Sequence, residues 1–408
     1  MSWRSPLGRP GLRASCAVTL ALAGTALLPA GATGASRRAA TPVPQGFVGM
    51  VVDFPTWPNP YVDISQQMDT MVASGVESIR VVFDWSAAQP YANFSDVPSG
   101  DGSQFVNVGG RPTDFSSYDA LVEAAAEHHI TVLPVIQNAP TWDGQTFSGA
   151  LVRLPRSPGP YAAFAKALVQ RYGPAGSFWR ANPSVPKVPI TMWQIWNEPN
   201  IPAFWPAQPY YSRYVALLRA AHKAIKAADH SAKVVLAGLP NYSWIEISRI
   251  DRFRGARNLY DVAAIHPYTK TPQGVITILG YVRHVLDQDG GASKPIMADE
   301  ISWPSSLGQT SHNTGYDFAT TQAGQARKVG QAMQLLAKNR VRLGLAAFYY
   351  YDWAGQDRPN YLAFDFSGLF HFLNGTFTAK PVYNVFRTDA LAMERCQSKT
   401  GTATNCTR

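Results

Sequence analysis

The chain has 408 residues, enough for two or three average domains or for one large barrel with a full core. Hydrophobic residues make up 46%, charged residues 15% and aromatics 12%, with 32 Gly and 31 Pro, which excludes a disordered polyelectrolyte and a coiled coil. Formal charge is +9, but no Lys/Arg run exceeds Arg37-Arg38, so the clustered footprint that nucleic acid binding needs is missing.

The first segment carries Arg4, Arg9 and Arg13 and no acid, then an apolar run of about 13 residues from Cys16 to Leu28, short of the roughly 20 that span a bilayer. Pro29 and Ala30-Gly31-Ala32 follow as an A-x-A cleavage pattern, with Ala35 a second position. This layout predicts a signal peptide over 1–32, a secreted protein and no stable membrane insertion after cleavage; an uncleaved anchor is the alternative. Loss of the three arginines leaves 33 basic against 27 acidic residues, a mild +6. Residues 33–44 read as a short linker. Cys16 precedes the apolar core, unlike a lipid-modified cysteine, whereas Cys396 and Cys406 close a small loop in a polar tail, 391–408, that an oxidising compartment could bridge.

From Gly46 onwards, short β-branched or aromatic runs alternate with helical patterns, the signal of parallel βαβ units. Eight runs start at Gly46, Glu77, Thr131, Pro189, Lys233, Asp261, Lys294 and Gly344. Their mean spacing of about 43 residues accommodates a strand, a helix and two loops, so the expected architecture is a (β/α)8 TIM barrel over 45–390, a single catalytic domain. Tyr210 to Asp229 and Gly324 to Asn339 are the best-patterned helices. Several strands are apolar on both faces, as enclosure by helices demands. A doubly wound open sheet is the rival, weakened by the count of eight and by the lack of G-x-G-x-x-G after the first strand.

The loops after the strands of such a barrel form its active face, and two strands close on glutamate: Glu198 in WQIWNEPN, on the fourth, and Glu300 in PIMADEISW, on the seventh. Two opposed carboxyl groups are what cleavage of a glycosidic bond needs, one to protonate the leaving oxygen and one to attack or stabilise the anomeric centre. Strand position alone does not divide these roles. Asn197 and Pro199 set an amide beside Glu198 and a rigid exit from the strand. Asp53, Asp84 and Asp352 also end strands, and read first as caps and loop contacts, secondly as ligands of sugar hydroxyls.

WQIWNEPN, the following NEPNIPAFWPAQPYYSRYVALLRAAHKAIKAADHSAKVVLAGLP, DVAAIHPY, PIMADEISWPSS and TFTAKPVYNVF together resemble the clan A glycoside hydrolases, and within them the family 39-like and secreted bacterial cellulase-like hydrolases. The resemblance runs from about 46 to 388. It implies Glu198 as acid/base and Glu300 as nucleophile, hence retention by double displacement and a carboxyl separation of about 5 to 5.5 Å. It implies Arg80 beside the nucleophile, Asn197 on the hydroxyl next to the reacting carbon, His266 and Tyr268 on the pocket floor with the phenol reaching Glu300, and Trp353 as a platform under the sugar. Asp299 departs from the pattern, where relatives carry Thr or another small polar residue. Strand alternation lets only one of Asp299 and Glu300 face the mouth unless the backbone bulges.

Sugar rings offer apolar faces that stack on indoles, and Trp57, Trp85, Trp142, Trp205, Trp244, Trp303 and Trp353 fall at or after proposed strand ends. This number points to an elongated cleft and an internal cut in a polysaccharide. H-E-x-x-H, a P-loop, a Cys/His cluster and G-x-S-x-G are all absent, so the sequence demands neither metal nor cofactor. The expected protein is a secreted retaining β-glycosidase acting on a polysaccharide or oligosaccharide, without a nucleic acid partner. The alternatives are an exo-glycosidase or transglycosylase on the same barrel, and a non-catalytic carbohydrate-binding protein.

Overall fold

A computed structural model describes residues 42–311 and 315–408. The expected signal peptide with Cys16, and most of the linker, lie outside the described residues. Every predicted run contains or borders a strand: β1 Val48–Val51, β2 Ser78–Asp84, β3 Thr131–Gln137, β4 Met192–Ile195, β5 Lys233–Val235, β6 Ala263–Ile265, β7 Ile296–Ile301 and β8 Leu345–Tyr350. All pair in parallel in the order β6-β7-β8-β1-β2-β3-β4-β5. The bridges Val235 to Val262 and Leu239 to Ile265 join β5 to β6 and close the ring.

Among the described residues, eight longer helices surround it: α1 Ile64–Ala73, α2 Ser116–Glu127, α3 Pro158–Tyr172, α4 Tyr211–Ala228, α5 Ser243–Asp251, α6 Pro272–Gln288, α7 Gln322–Leu343 and α8 Pro381–Glu394. Local chemistry sets their ends. The Oγ1 atoms of Thr271 and Thr321 accept from the amides of Gly274 and Gly324, capping α6 and α7. Gly344 ends α7 at φ 61°, a left-handed position that glycine adopts without strain. On α4, Tyr214, Val215, Leu217, Leu218, Ala221 and Ile225 recur at helical spacing and are buried against the barrel.

The doubly apolar strands serve two cores. One lies between sheet and helices; the other fills the barrel with Val51, Leu133, Val235, Val262, Ala264, Met297, Ala347 and Tyr349. Tyr349 fills the space left by Gly49, where a Cβ would overlap its ring. This interior plug closes the cylinder below the mouth, so polar groups at the strands' C-terminal ends stand on a dry floor.

Residues 391–408, expected as a tail, pack onto the barrel. Cys396 and Cys406 form a disulfide with Cα atoms 5.4 Å apart, tying a two-stranded ribbon, Ser398–Lys399 with Cys406–Thr407. Lys399 is buried and pairs with both Glu77 and Glu394.

Candidate active site

Two backbone irregularities put the site's acids together. After β4, Trp196 and Glu198 have φ of 72° and 45°, left-handed positions costly for non-glycine residues. They break the strand's alternation, and the Glu198 amide donates to Gly238 O at 3.1 Å. Asn197 and Glu198 both reach the mouth as a result. On β7 the pairing register with β8 shifts between Ala298 and Ile301, and both Asp299 and Glu300 turn to the barrel side, where each meets Arg80. The bulge resolves the choice that regular alternation would have forced.

Arg80, on β2, is the hub. Its Nη1 donates to Glu300 Oε1 at 2.7 Å, Nη2 to Asn197 Oδ1 at 2.7 Å and Nε to Gln194 Oε1 at 2.8 Å, with Asp299 Oδ2 3.2 Å from Nε. Burial opposes its charge, but Asp299, Glu300 and Asp53 outweigh burial and hold it cationic. Glu300 Oε2 accepts from the Tyr268 hydroxyl at 2.7 Å, so both its oxygens are fixed. Burial first, and Glu300 second, push the Tyr268 phenol well above its ordinary value, and it stays a donor.

His266 Nδ1 lies 2.6 Å from Glu198 Oε1 and 3.4 Å from Glu300 Oε2. Burial drives its ring toward the neutral form, but the charges of Glu300 and Asp299 and the bond to Glu198 overcome this and raise it to about 10. Gly238 makes room for the ring, since a Cβ there would overlap His266 Nε2. Burial raises Glu198 while the His266 bond lowers it; the net direction is upward, toward a carboxyl that holds a proton. One oxygen of Glu198 and one of Glu300 lie within 4.8 Å of each other, close enough for the two carboxyl groups to flank one bond.

Among the described residues, Glu198, His266 and Glu300 are also the group whose spacing would suit a metal ion. Arg80 beside Glu300 opposes a dication, and the facing atoms already bond one another.

The tryptophan reading needs correction. Trp353 is buried, gives its Nε1 hydrogen to Gln67 Oε1 at 3.0 Å and packs on Phe370, so it presents no face to a ligand. Trp303 is buried and bonded to Thr269 O, and Trp205 is packed between Trp196 and Tyr214. Trp85 and Trp57 are interior too. Trp142 and Trp244 are half-buried, and Arg111 lies 4.4 Å above the Trp142 ring. Residues near strand ends can point outward into the helix layer, and large indoles fill that layer well. The aromatic surface at the mouth comes instead from half-buried Tyr351, Phe364, Phe318 and Tyr268, in a connected set of ring contacts beside Glu300.

Asp84 caps the short helix Trp85–Ala88 and binds Asn138, the structural role expected first. Asp53 faces Arg80, and burial raises it to about 6. Buried Asp352 keeps one oxygen unpartnered. Gln194 escaped the sequence reading. It links Arg80 to Asp299 through a 2.6 Å bond from its Nε2, and its signal was a polar residue inside the apolar run WQIW.

No protein-family model matches the chain, and the search of curated proteins found no match. Solved structures do match. A glucosidase from Croceicoccus marinus superposes with TM-score 0.62 at 15% identity, covering 87% of this chain and 68% of that one. The GH39 enzyme from Xanthomonas axonopodis pv. citri gives 0.59 at 15%, over 86% and 67%. A family 39 glycoside hydrolase from the gut symbiont Bacteroides cellulosilyticus gives 0.58 at 19%, over 85% and 63%, so the chain spans somewhat under two thirds of that protein. The fold is thus a (β/α)8 barrel like those of these glycoside hydrolases, as the strand pattern and the resemblance read from the motifs led one to expect.

Proposed function

We propose that the chain is a retaining glycosidase that cleaves O-glycosidic bonds of an oligosaccharide or polysaccharide, with Glu198 as acid/base and Glu300 as nucleophile. The observation that carries the reading is the pair of unlike carboxyl groups within 4.8 Å: Glu300 held by Arg80 and Tyr268, Glu198 raised toward its protonated form by burial. In the first displacement Glu198 gives its proton to the departing oxygen while Glu300 bonds to the anomeric carbon and the glycosidic bond breaks. In the second, Glu198 takes a proton from water as the hydroxyl attacks the same carbon and the Glu300 ester bond breaks. Asn197, steered by Arg80, is placed to bind the hydroxyl beside the reacting carbon, and the Tyr351 and Phe364 wall offers the sugar an apolar face.

The leader-like segment supports secretion, and no described helix is long and apolar enough to cross a membrane. With five of the seven tryptophans committed to packing, many-subsite binding loses its support, and removal of a terminal sugar stands beside internal cutting as the mode of action. The test is a polysaccharide and aryl-glycoside array assayed with wild type and Glu198→Gln. Hydrolysis by the first and not the second supports the reading; glycan binding without turnover by either overturns it in favour of a carbohydrate-binding protein. Early medium-length fragments identify internal cutting, and monosaccharide alone identifies terminal cutting.

A further inference from the structure

Asp299 is fully buried, yet one of its oxygens, Oδ1, has no hydrogen-bond partner. Its Oδ2 accepts from Gln194 at 2.6 Å, lies 3.2 Å from Arg80 Nε and 3.6 Å from His266 Nε2, itself a buried atom without a hydrogen-bond partner. A carboxylate buried beside another, that of Glu300, is costly unless a charge balances it. Around His266 and the two β7 acids, Arg80 and His266 supply two positive charges and Asp299 and Glu300 two negative ones when Glu198, raised by burial, holds its proton; Asp53, also raised by burial, lies on the far side of Arg80.

We propose that Asp299 is a positioning residue, the fixed counter-ion of His266, holding the ring as an imidazolium between Glu198 and Glu300 so that negative charge passes from one to the other at constant net charge. The proposal deepens the glycosidase reading and rests on it. Before reaction the imidazolium Nδ1–H faces anionic Glu300 at 3.4 Å and neutral Glu198 at 2.6 Å. When Glu300 becomes an ester it loses its charge, and Glu198, having given up its proton, gains one. The same Nδ1–H serves both states with no movement of the ring, and Asp299 takes no part in bond making. Asn in place of Asp299 would leave one uncompensated positive charge, relieved by loss of the imidazolium proton.

The titratable groups facing this pair are Arg80 from β2, Glu198 from the β4 end, Glu300 from β7, and Tyr349 from β8, with Tyr268 edge-on to the ring and Asp53 across Arg80. None of them supplies a second carboxylate at His266 Nε2, the atom Asp299 faces.

The test is nitrogen NMR of the full chain carrying ¹⁵N-labelled histidine, with His266→Gln identifying its signal among the eight histidines. Both ring nitrogens of His266 are expected to stay protonated to at least about pH 8 in wild type, and the midpoint to fall by about 1 to 3 pH units in Asp299→Asn. A neutral ring in wild type at pH 7, which requires no variant, or an unchanged midpoint in Asp299→Asn, overturns the proposal. On an active substrate, the alkaline limb of kcat should move to lower pH in Asp299→Asn with KM little changed, a split that loosened packing would not produce. Because the NMR needs no substrate, an Asp299-dependent imidazolium in a chain that hydrolyses nothing breaks the functional reading alone. An active enzyme with an unchanged His266 midpoint breaks the counter-ion alone.

Discussion

The two ends of the barrel both bury charge, and they bury it differently. At the N-terminal end a cavity of about 860 Å³ is lined by Gly46, Glu77, Thr131, Met192, Lys233 and Lys294, and none of its lining side chains has a buried polar atom left without a partner. Glu77 there binds the Gly46 amide and Lys399, and Lys399 also holds Glu394. One lysine thus serves two carboxyl groups, and both oxygens of Glu394 have no hydrogen-bond partner beyond that ion pair. At the C-terminal mouth, by contrast, two cationic side chains, Arg80 and His266, converge with three carboxyl groups, Glu198, Glu300 and Asp299, and the Glu198 and Glu300 oxygens face each other. A cavity therefore marks one end and reactive chemistry the other. The chemistry decides, because at the mouth two carboxyl groups, one raised by burial and one held by a guanidinium and a phenol, face each other across a common space with no lysine between them.

The sharpest way to break this contrast is to remove the two glutamates proposed to react. Glu300→Gln should lower kcat by about 10⁴-fold or more, and Glu198→Gln by about 10² to 10⁴-fold on substrates with poor leaving groups, with unfolding temperature nearly unchanged in both. Loss of the fold with either variant would mean that these glutamates serve to hold Arg80, His266 and Tyr268 in place. At the other end, Lys399→Met should cost about 3 to 5 kcal/mol of stability, because it leaves Glu77 and Glu394 buried without their cation, while kcat of the folded fraction stays at the wild-type value. Denaturant titration and single-turnover assays read the two effects separately.

The pH response at the N-terminal end has a definite sign. Burial first and Glu77 second raise Glu394 to about 8 against an ordinary value of 4.5, with Lys399 opposing. A carboxyl raised on folding contributes stability that is complete below its unfolded value and lost as pH rises through its folded one. Thermal stability should therefore fall between pH 4.5 and about 8, and Glu394→Gln should flatten that slope; an unchanged slope would remove Glu394 from the account. Smallest of all, Tyr268→Phe should lower kcat by about 10- to 100-fold, the worth of one bond to a charged acceptor, and leave stability within experimental error.

The barrel was legible because its signals are periodic. Alternating runs fixed eight strands within a few residues, and α4 and α7 followed from apolar spacing over many turns. The glutamates were legible because strand ends in a barrel face one mouth, and the motifs added the roles implied for Arg80, Asn197, His266 and Tyr268, all of which lie around that mouth. Trp353 misled because position along a strand gives distance from the mouth but not the face, and the indole turned toward Gln67 of α1. Asp299 was ambiguous for the converse reason, since a register shift is a property of two paired strands and leaves no mark on one. The Glu77, Lys399 and Glu394 cluster joins residues more than 300 apart, beyond any local pattern.

The anomeric configuration of the first-formed sugar, followed by proton NMR on a hydrolysed glycoside before mutarotation, tests the central claim most directly. The arrangement of Glu198 and Glu300 predicts the configuration of the substrate; a product of opposite configuration would contradict it.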